Sequence, residues 1–263
     1  MIVYKKICTN KEVMIFHQLF EPSSSTYTYL VACPEQGIAA LIDPVLETVN
    51  RDLELIQQLG LKLTYTVDTH IHADHLTSAT KLKALTESKI VYPKQAELPC
   101  ADMQVEDRKI FRIGSIELHP LFTPGHTDHH YAYLIKQEAQ RIVFTGDALL
   151  IDACGRTDFQ SGDAATLFDS IQEKLFTLPG ETLVYPAHDY AGRHVSSIAQ
   201  EKARNPRLGN DIPKEEFVRI MDSLDLPYPS KIDFAVPGNE ACGICPPNVP
   251  DYLRSPCEVH DQG

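Results

Sequence analysis

Four short stretches of this sequence hold residues that can bind a metal: His70, His72, Asp74 and His75 in one run, then His126, Asp147 and His188 singly. The first run, Thr69-His70-Ile71-His72-Ala73-Asp74-His75, puts three imidazoles and a carboxylate into six residues. Such a group is costly to place in a core unpaired. Pro124-Gly125-His126 or Thr145-Gly146-Asp147 alone would read as a turn. Taken in order with Pro186-Ala187-His188, the four stretches argue for a metal site. Imidazole nitrogen with carboxylate oxygen suits Zn, Fe, Mn or Ni rather than Ca or Mg.

Each stretch directly follows an apolar run of strand character: residues 63–67, 118–122, 142–144 and 183–185. Side chains at strand ends converge at one edge of a layered α/β sheet, whatever their separation along the chain. Other β-branched or aromatic runs predict strands at 13–16, 26–31, 38–42, 110–113, 116–122, 131–135, 141–145 and 182–185. Val49, Leu53, Ile56 and Leu59 form one helical stripe that stops at Gly60. Further helices are predicted over 76–87, 163–176, 192–203 and 214–224, giving an α/β layered fold. Beyond residue 205 prolines punctuate the chain, so the final forty residues are expected to be mostly turn and extended segment.

Composition narrows the function classes. The 263 residues suit one large domain or a domain with a modest extension. Hydrophobic residues at 43% and charged residues at 23% are ordinary for a soluble globular protein. A net charge of −12 repels phosphate backbones, which argues against nucleic-acid binding. No apolar run approaches a membrane span and no signal-peptide core follows the first residues, so a cytoplasmic protein without membrane contact is expected. A homodimer is left open. Seven scattered cysteines, an odd number, argue against a disulfide framework, and reduced thiols are the expectation.

The order His-x-His-x-Asp-His, His126, Asp147, His188 resembles the metallo-β-lactamase superfamily. Segments outside the ligands are similar to the persulfide dioxygenase (sulfur dioxygenase) family. The most specific is Cys154-Gly155-Arg156-Thr157-Asp158-Phe159-Gln160; others are Leu41-Ile42-Asp43-Pro44-Val45, Tyr185-Pro186-Ala187-His188-Asp189-Tyr190, Asn205-Pro206-Arg207-Leu208 and Asp233-Phe234-Ala235-Val236-Pro237. This resemblance spans about residues 14–243. It implies an αββα sandwich; with the change of character near residue 205, a catalytic domain over 1–205 and a short Pro-rich C-terminal extension, 206–263, packed on the same domain are expected. It also implies oxidation of glutathione persulfide by O2 to sulfite and glutathione, using one Fe(II) per chain.

Carried over by motif position, the iron ligands fall on His70, His126 and Asp147, a two-histidine, one-carboxylate face with open positions. His72, Asp74, His75 and His188 would form a polar shell that orients ligands and handles protons. Arg156, Tyr190, Thr127 and Cys154 are expected at the substrate, with Arg156 and Tyr190 gripping glutathione carboxylates. The competing reading for Arg156 is a local pair with Asp158 or Asp189. The competing function is a two-zinc hydroxyacylglutathione-type thioester hydrolase, which shares the ligand constellation; a catalytically silent scaffold is a third. His129, followed by His130, departs from a position the family commonly fills with a small residue, and both read as surface or satisfied histidines. In the tail, Cys242, Cys245, Cys257 and His260 have knuckle-like spacing, with chance grouping as the default over a structural zinc.

Overall fold

The structure is a computed structural model that describes residues 3–8, 13–137 and 140–257. One sheet runs in order β1 (Val3–Cys8), β2 (Val13–Glu21), β3 (Thr26–Cys33), β4 (Ile38–Ile42), β5 (Lys62–Val67), β6 (Lys89–Pro93), β7 (Met103–Val105). The second contains β8 (Phe111–Ile113), β9 (Ile116–Phe122), β10 (Tyr131–Gln137), β11 (Gln140–Gly146), β12 (Leu183–Pro186) and β13 (Ser196–Ser197), ordered from β13 back to β8. Among the described residues seven α-helices accompany them: α1 (Val49–Gln58), α2 (Ala79–Thr86), α3 (Ala164–Ser170), α4 (Ile198–Arg204), α5 (Lys214–Asp222), α6 (Ile232–Glu240) and α7 (Asp251–Cys257).

The layers follow from which faces are apolar. Phe16, Tyr29 and Val31 from the first sheet meet Leu118, Tyr133 and Phe144 from the second in the central core. Strand β3 is buried throughout, because its other face is covered as well. There Leu30 and Leu41 meet Ile56 of α1, Leu82 of α2, Phe234 of α6 and Leu253 of α7. On the far side Leu134 and Val143 meet Leu167 of α3 and Phe217 of α5. Helices therefore flank both sheets, the expected αββα sandwich. None of the described helices is long and apolar enough to cross a membrane.

Some boundaries differ from the sequence reading. The segment expected to be helical over 192–203 is loop as far as Val195, then pairs with β12 as β13, and becomes helical only at Ile198. Strands β6 and β7 were not foreseen. The final residues are not mostly turn: α6 and α7 lie there, with Pro237 and Pro256 inside them. Pro237 cannot donate to the Asp233 carbonyl one turn back. That carbonyl instead accepts Asn248 Nδ2 at 3.3 Å, which offsets the loss.

The cysteines also depart from expectation. Cys100 is joined to Cys242, 142 residues away in sequence, and Cys245 is joined to Cys257. An odd count and wide scatter say nothing about which thiols the fold brings together. Three of the four tail residues considered for zinc are thus consumed in cross-links, and His260 lies outside the described residues.

The two sheets are tied at one edge by polar bonds. Tyr29 Oη donates to the Pro186 carbonyl at 2.5 Å and receives Gln18 Nε2 at 3.2 Å, all in a buried setting. Tyr27 N donates to the Ala187 carbonyl at 2.7 Å. Replacing Tyr29 by Phe keeps the ring but strands a buried carbonyl. It should cost about 1–3 kcal/mol, measured as a lower urea midpoint with unchanged m-value.

Candidate metal centre

Four strands of the sandwich end at this edge and release the functional loops. β5 leads into residues 68–75, β9 into the turn that carries His126, β11 into Asp147, and β12 into His188. The ligating atoms of His70, His126 and Asp147 all lie within 4.8 Å of one another. His126 Nε2 is 3.6 Å from Asp147 Oδ2, and His188 Nε2 lies at the same distance from that oxygen.

Hydrogen bonds decide which ring nitrogens face the centre. His126 Nδ1 donates to the Arg156 carbonyl at 2.7 Å. His70 Nδ1 donates to Thr69 Oγ1 at 2.9 Å, and that hydroxyl donates onward to Asp43 Oδ2 at 3.0 Å. Both rings are therefore held in the tautomer that leaves Nε2 with its lone pair. Burial, reinforced by the neighbouring imidazoles, pushes the His70 pKa well below the ordinary range, so the ring is neutral as a ligand must be. Asp147 Oδ1 is buried with no partner among the described residues. An orphaned carboxylate oxygen beside two imidazole lone pairs fits a resident cation.

A second group, His72, Asp74 and His75, is held differently. His72 Nε2 bonds Asp43 Oδ1 at 3.0 Å and lies 3.7 Å from Asp68 Oδ1. Burial lowers its pKa, but Asp43, Asp68 and Asp74 together lift it to about 9. Asp74 Oδ2 bonds His75 Nδ1 at 3.0 Å and accepts from Thr26 Oγ1 at 3.1 Å, and it lies 3.5 Å from His188 Nε2. Within this group His72 Nδ1 and His75 Nε2 are buried with no hydrogen-bond partner among the described residues.

His129 and His130, read from the sequence as surface or satisfied histidines, brace the ligand loops. His130 Nε2 accepts the Asp147 backbone N–H at 3.1 Å while Nδ1 donates to Thr123 Oγ1 at 2.9 Å. His129 Nε2 accepts the Ile71 N–H at 3.0 Å while Nδ1 donates to Asp128 at 2.8 Å. Burial pushes both pKa values down, which keeps each Nε2 an acceptor. Both are satisfied and buried rather than on the surface. Close packing around the ligands explains the glycine in the Cys-Gly-Arg motif. A Cβ on Gly155 would lie 2.3 Å from the Asp147 carbonyl oxygen and 2.8 Å from His126 Nδ1.

Comparison with known proteins agrees with this architecture. Residues 23–188 match the metallo-beta-lactamase superfamily. Persulfide dioxygenase ETHE1 of Homo sapiens, a mitochondrial protein, is 47% identical over 236 residues, covering 90% of this chain and 91% of its own. The crystal structure of ETHE1 from Myxococcus xanthus superposes with a TM-score of 0.84 at 51% identity, covering 88% of this chain and all of that one. The chain belongs to the persulfide dioxygenase family. A hydroxyacylglutathione hydrolase of Methylococcus capsulatus is more distant, at 30% identity over 76% of this chain and 77% of its own.

In this persulfide dioxygenase family member a cavity of about 610 Å³ opens over His70, His126 and Asp147. Tyr190 stands on its wall, mostly exposed, with its ring stacked parallel to His188. Arg156 lines the same cavity, yet its fork is engaged by Asp158, Nε to Oδ1 at 2.6 Å and Nη2 to Oδ2 at 2.7 Å. Its remaining nitrogen, Nη1, donates to the Pro227 carbonyl at 2.9 Å. The local pair, not a free fork, is what the structure shows. Thr127 does not reach the cavity: it is fully buried beneath the loop. Cys154 is on the lining, but its sulfur is buried against Met221 Sδ at 3.6 Å, and burial pushes its pKa up to about 11. It is a neutral packing thiol. Arg207 and Lys231, which the sequence reading did not single out, complete the cationic part of the wall.

Thr69 is the test of the tautomer argument. Thr69→Val keeps shape but leaves His70 Nδ1–H and Asp43 without their shared hydroxyl. Affinity for Fe(II), measured by anaerobic titration of metal-free protein, should fall roughly 10–100-fold.

Proposed function

We propose that this protein oxidises glutathione persulfide with O2, giving glutathione and sulfite, at a single iron held by His70, His126 and Asp147. The balance is one persulfide, one O2 and one water giving glutathione, sulfite and two protons. The observation that carries the reading is the 47% identity to persulfide dioxygenase ETHE1 across 90% of this chain. The two-histidine, one-carboxylate face beneath an open cavity supports it. Iron held by these three residues would supply redox electrons and could bind O2 and a substrate sulfur.

The chain's own groups supply the rest. His126 and His70 are presented in fixed tautomers by the Arg156 carbonyl and by Thr69. Asp74 and His188, beside Asp147, give a polar site for the protons that the reaction releases. Arg156, Arg207 and Lys231 offer positive charge to the carboxylates of glutathione in an otherwise acidic protein. Tyr190 offers a phenol at the same wall. With its thiol neutral and buried, Cys154 takes no nucleophilic part.

An oxygen electrode with glutathione persulfide should record one O2 consumed per sulfite formed. Rapid hydrolysis of lactoylglutathione without O2 uptake would replace this reading with the hydrolase. Metal content gives an independent check. Ala at His70, His126 or Asp147 should abolish iron retention, while His75→Ala should keep substantial iron. Equal loss from all four variants would indicate a two-metal centre.

A further inference from the structure

Residues 72–77 connect the metal loop to α2 outside any helix or named strand, with only an isolated bridge from Thr77 to Val45, so most of their backbone groups need partners from elsewhere. One side chain supplies three of them. Asn239, on α6, donates through Nδ2 to the carbonyls of His72 and His75, both at 2.8 Å. Its Oδ1 accepts the Thr77 N–H at 2.8 Å. The side chain is fully buried, and its two donors and its oxygen are all used on this one loop.

The surrounding contacts seat that amide. A Cβ on Gly243 would lie 2.2 Å from the Thr77 carbonyl oxygen, so the chain beyond α6 lies directly on the loop. The Cys242 carbonyl accepts both Thr80 N at 3.1 Å and Thr80 Oγ1 at 2.7 Å. Cys242 is then tied covalently to Cys100, which follows β6. The end of α6 is thus anchored on two sides while Asn239 holds the loop between them.

We propose that Asn239 is a positioning residue of the metal centre, fixing the backbone that carries His70 so that its Nε2 stays aimed at the site. His72, whose carbonyl Asn239 holds, is two residues from His70. Ile71 between them is held on both sides, by His129 at its N–H and by Gln160 Nε2 at its carbonyl, 2.8 Å away. Ligand placement is sensitive to shifts below 1 Å, so freeing three backbone groups here changes geometry at the metal. The inference rests on the ligand assignment above but not on the reaction.

Asn239→Asp is the most informative variant. It is isosteric and keeps the acceptor for Thr77, but it replaces two donations by a carboxylate facing two carbonyls. Asn239→Ala removes all three bonds. In metal-free protein the Thr77 amide of Asn239→Ala should exchange with deuterium much faster than in wild type. Fe(II) affinity of both variants should fall roughly 10–100-fold. The ligand-field spectrum of the Co(II)-substituted protein should also change. Phe217→Leu, a core variant under α3, gives the comparison: it should lower thermal stability while leaving metal affinity and the Co(II) spectrum unchanged. Asn239 variants that bind metal like wild type with an unaltered spectrum would overturn the inference, even if less stable. If wild type itself takes up no metal, the ligand assignment fails instead.

Discussion

A carboxylate buried at 1% exposure, as Asp43 is, would cost several kcal/mol if left unpaired. Here that cost is offset entirely by the metal loop. Asp43 accepts the Thr69 N–H at 2.7 Å, the Thr69 hydroxyl at 3.0 Å and His72 Nε2 at 3.0 Å. The requirement runs both ways. Asp43 needs the loop in one conformation, and in that conformation the Thr69 hydroxyl is left to accept from His70. A buried acid at the end of β4 thus dictates which nitrogen of His70 faces the site. Remove the charge and Thr69 is free to rotate; His70 then loses its reason to hold one tautomer.

The sandwich makes that local geometry durable. Phe16, Tyr29, Phe144 and Tyr185 pack across the two sheets with ring centroids 4.8 to 6.2 Å apart. Dense packing of this kind resists sliding of one sheet over the other. The ligand loops leave from strands on both sides: His70 from β5 in the first sheet, His126, Asp147 and His188 from strands of the second. Any relative slip would therefore separate His70 from its partners. The Tyr29 bond to Pro186 and the Tyr27 bond to Ala187 place hydrogen bonds where a slip would do most harm, within two residues of His188.

The sandwich and the groups at its edge were legible because they depend on local pattern. Alternating apolar runs gave most strands, and imidazoles directly after them marked the edge. What supports those groups was not legible, because it comes from distant segments whose residue types have many other uses. Asn239 lies 162 positions beyond Thr77, and an Asn inside a Pro-rich stretch reads as a turn residue. His129 and His130 carry no spacing signal; only their burial and their backbone partners reveal them as braces. The Cys100–Cys242 link spans 142 residues, a distance at which counting thiols is uninformative. The helices α6 and α7 were missed for a different reason. Local breakers were weighed alone, whereas burial of Phe234 and Leu253 against β3 and β4 overrides them.

Arg156 shows how a motif can locate a residue while leaving its partners open. Its position on the cavity wall followed from the motif, but its fork faces Asp158 rather than open space. Asp158 is mostly exposed, so the pair is screened and contributes little to stability. What it does instead is limit the conformations of a long side chain. The guanidinium lies 4.6 Å over the Phe159 ring and donates to the Pro227 carbonyl, which fixes its plane from two further directions. A fork already ordered loses less side-chain entropy when a ligand carboxylate arrives. Exchange of one carboxylate for another conserves charge-assisted hydrogen bonds, so displacing Asp158 costs little at a wet rim. The proposed substrate then has to bring a second carboxylate that reaches Arg207, on the same wall as Lys231, which itself lies 3.7 Å from Glu47.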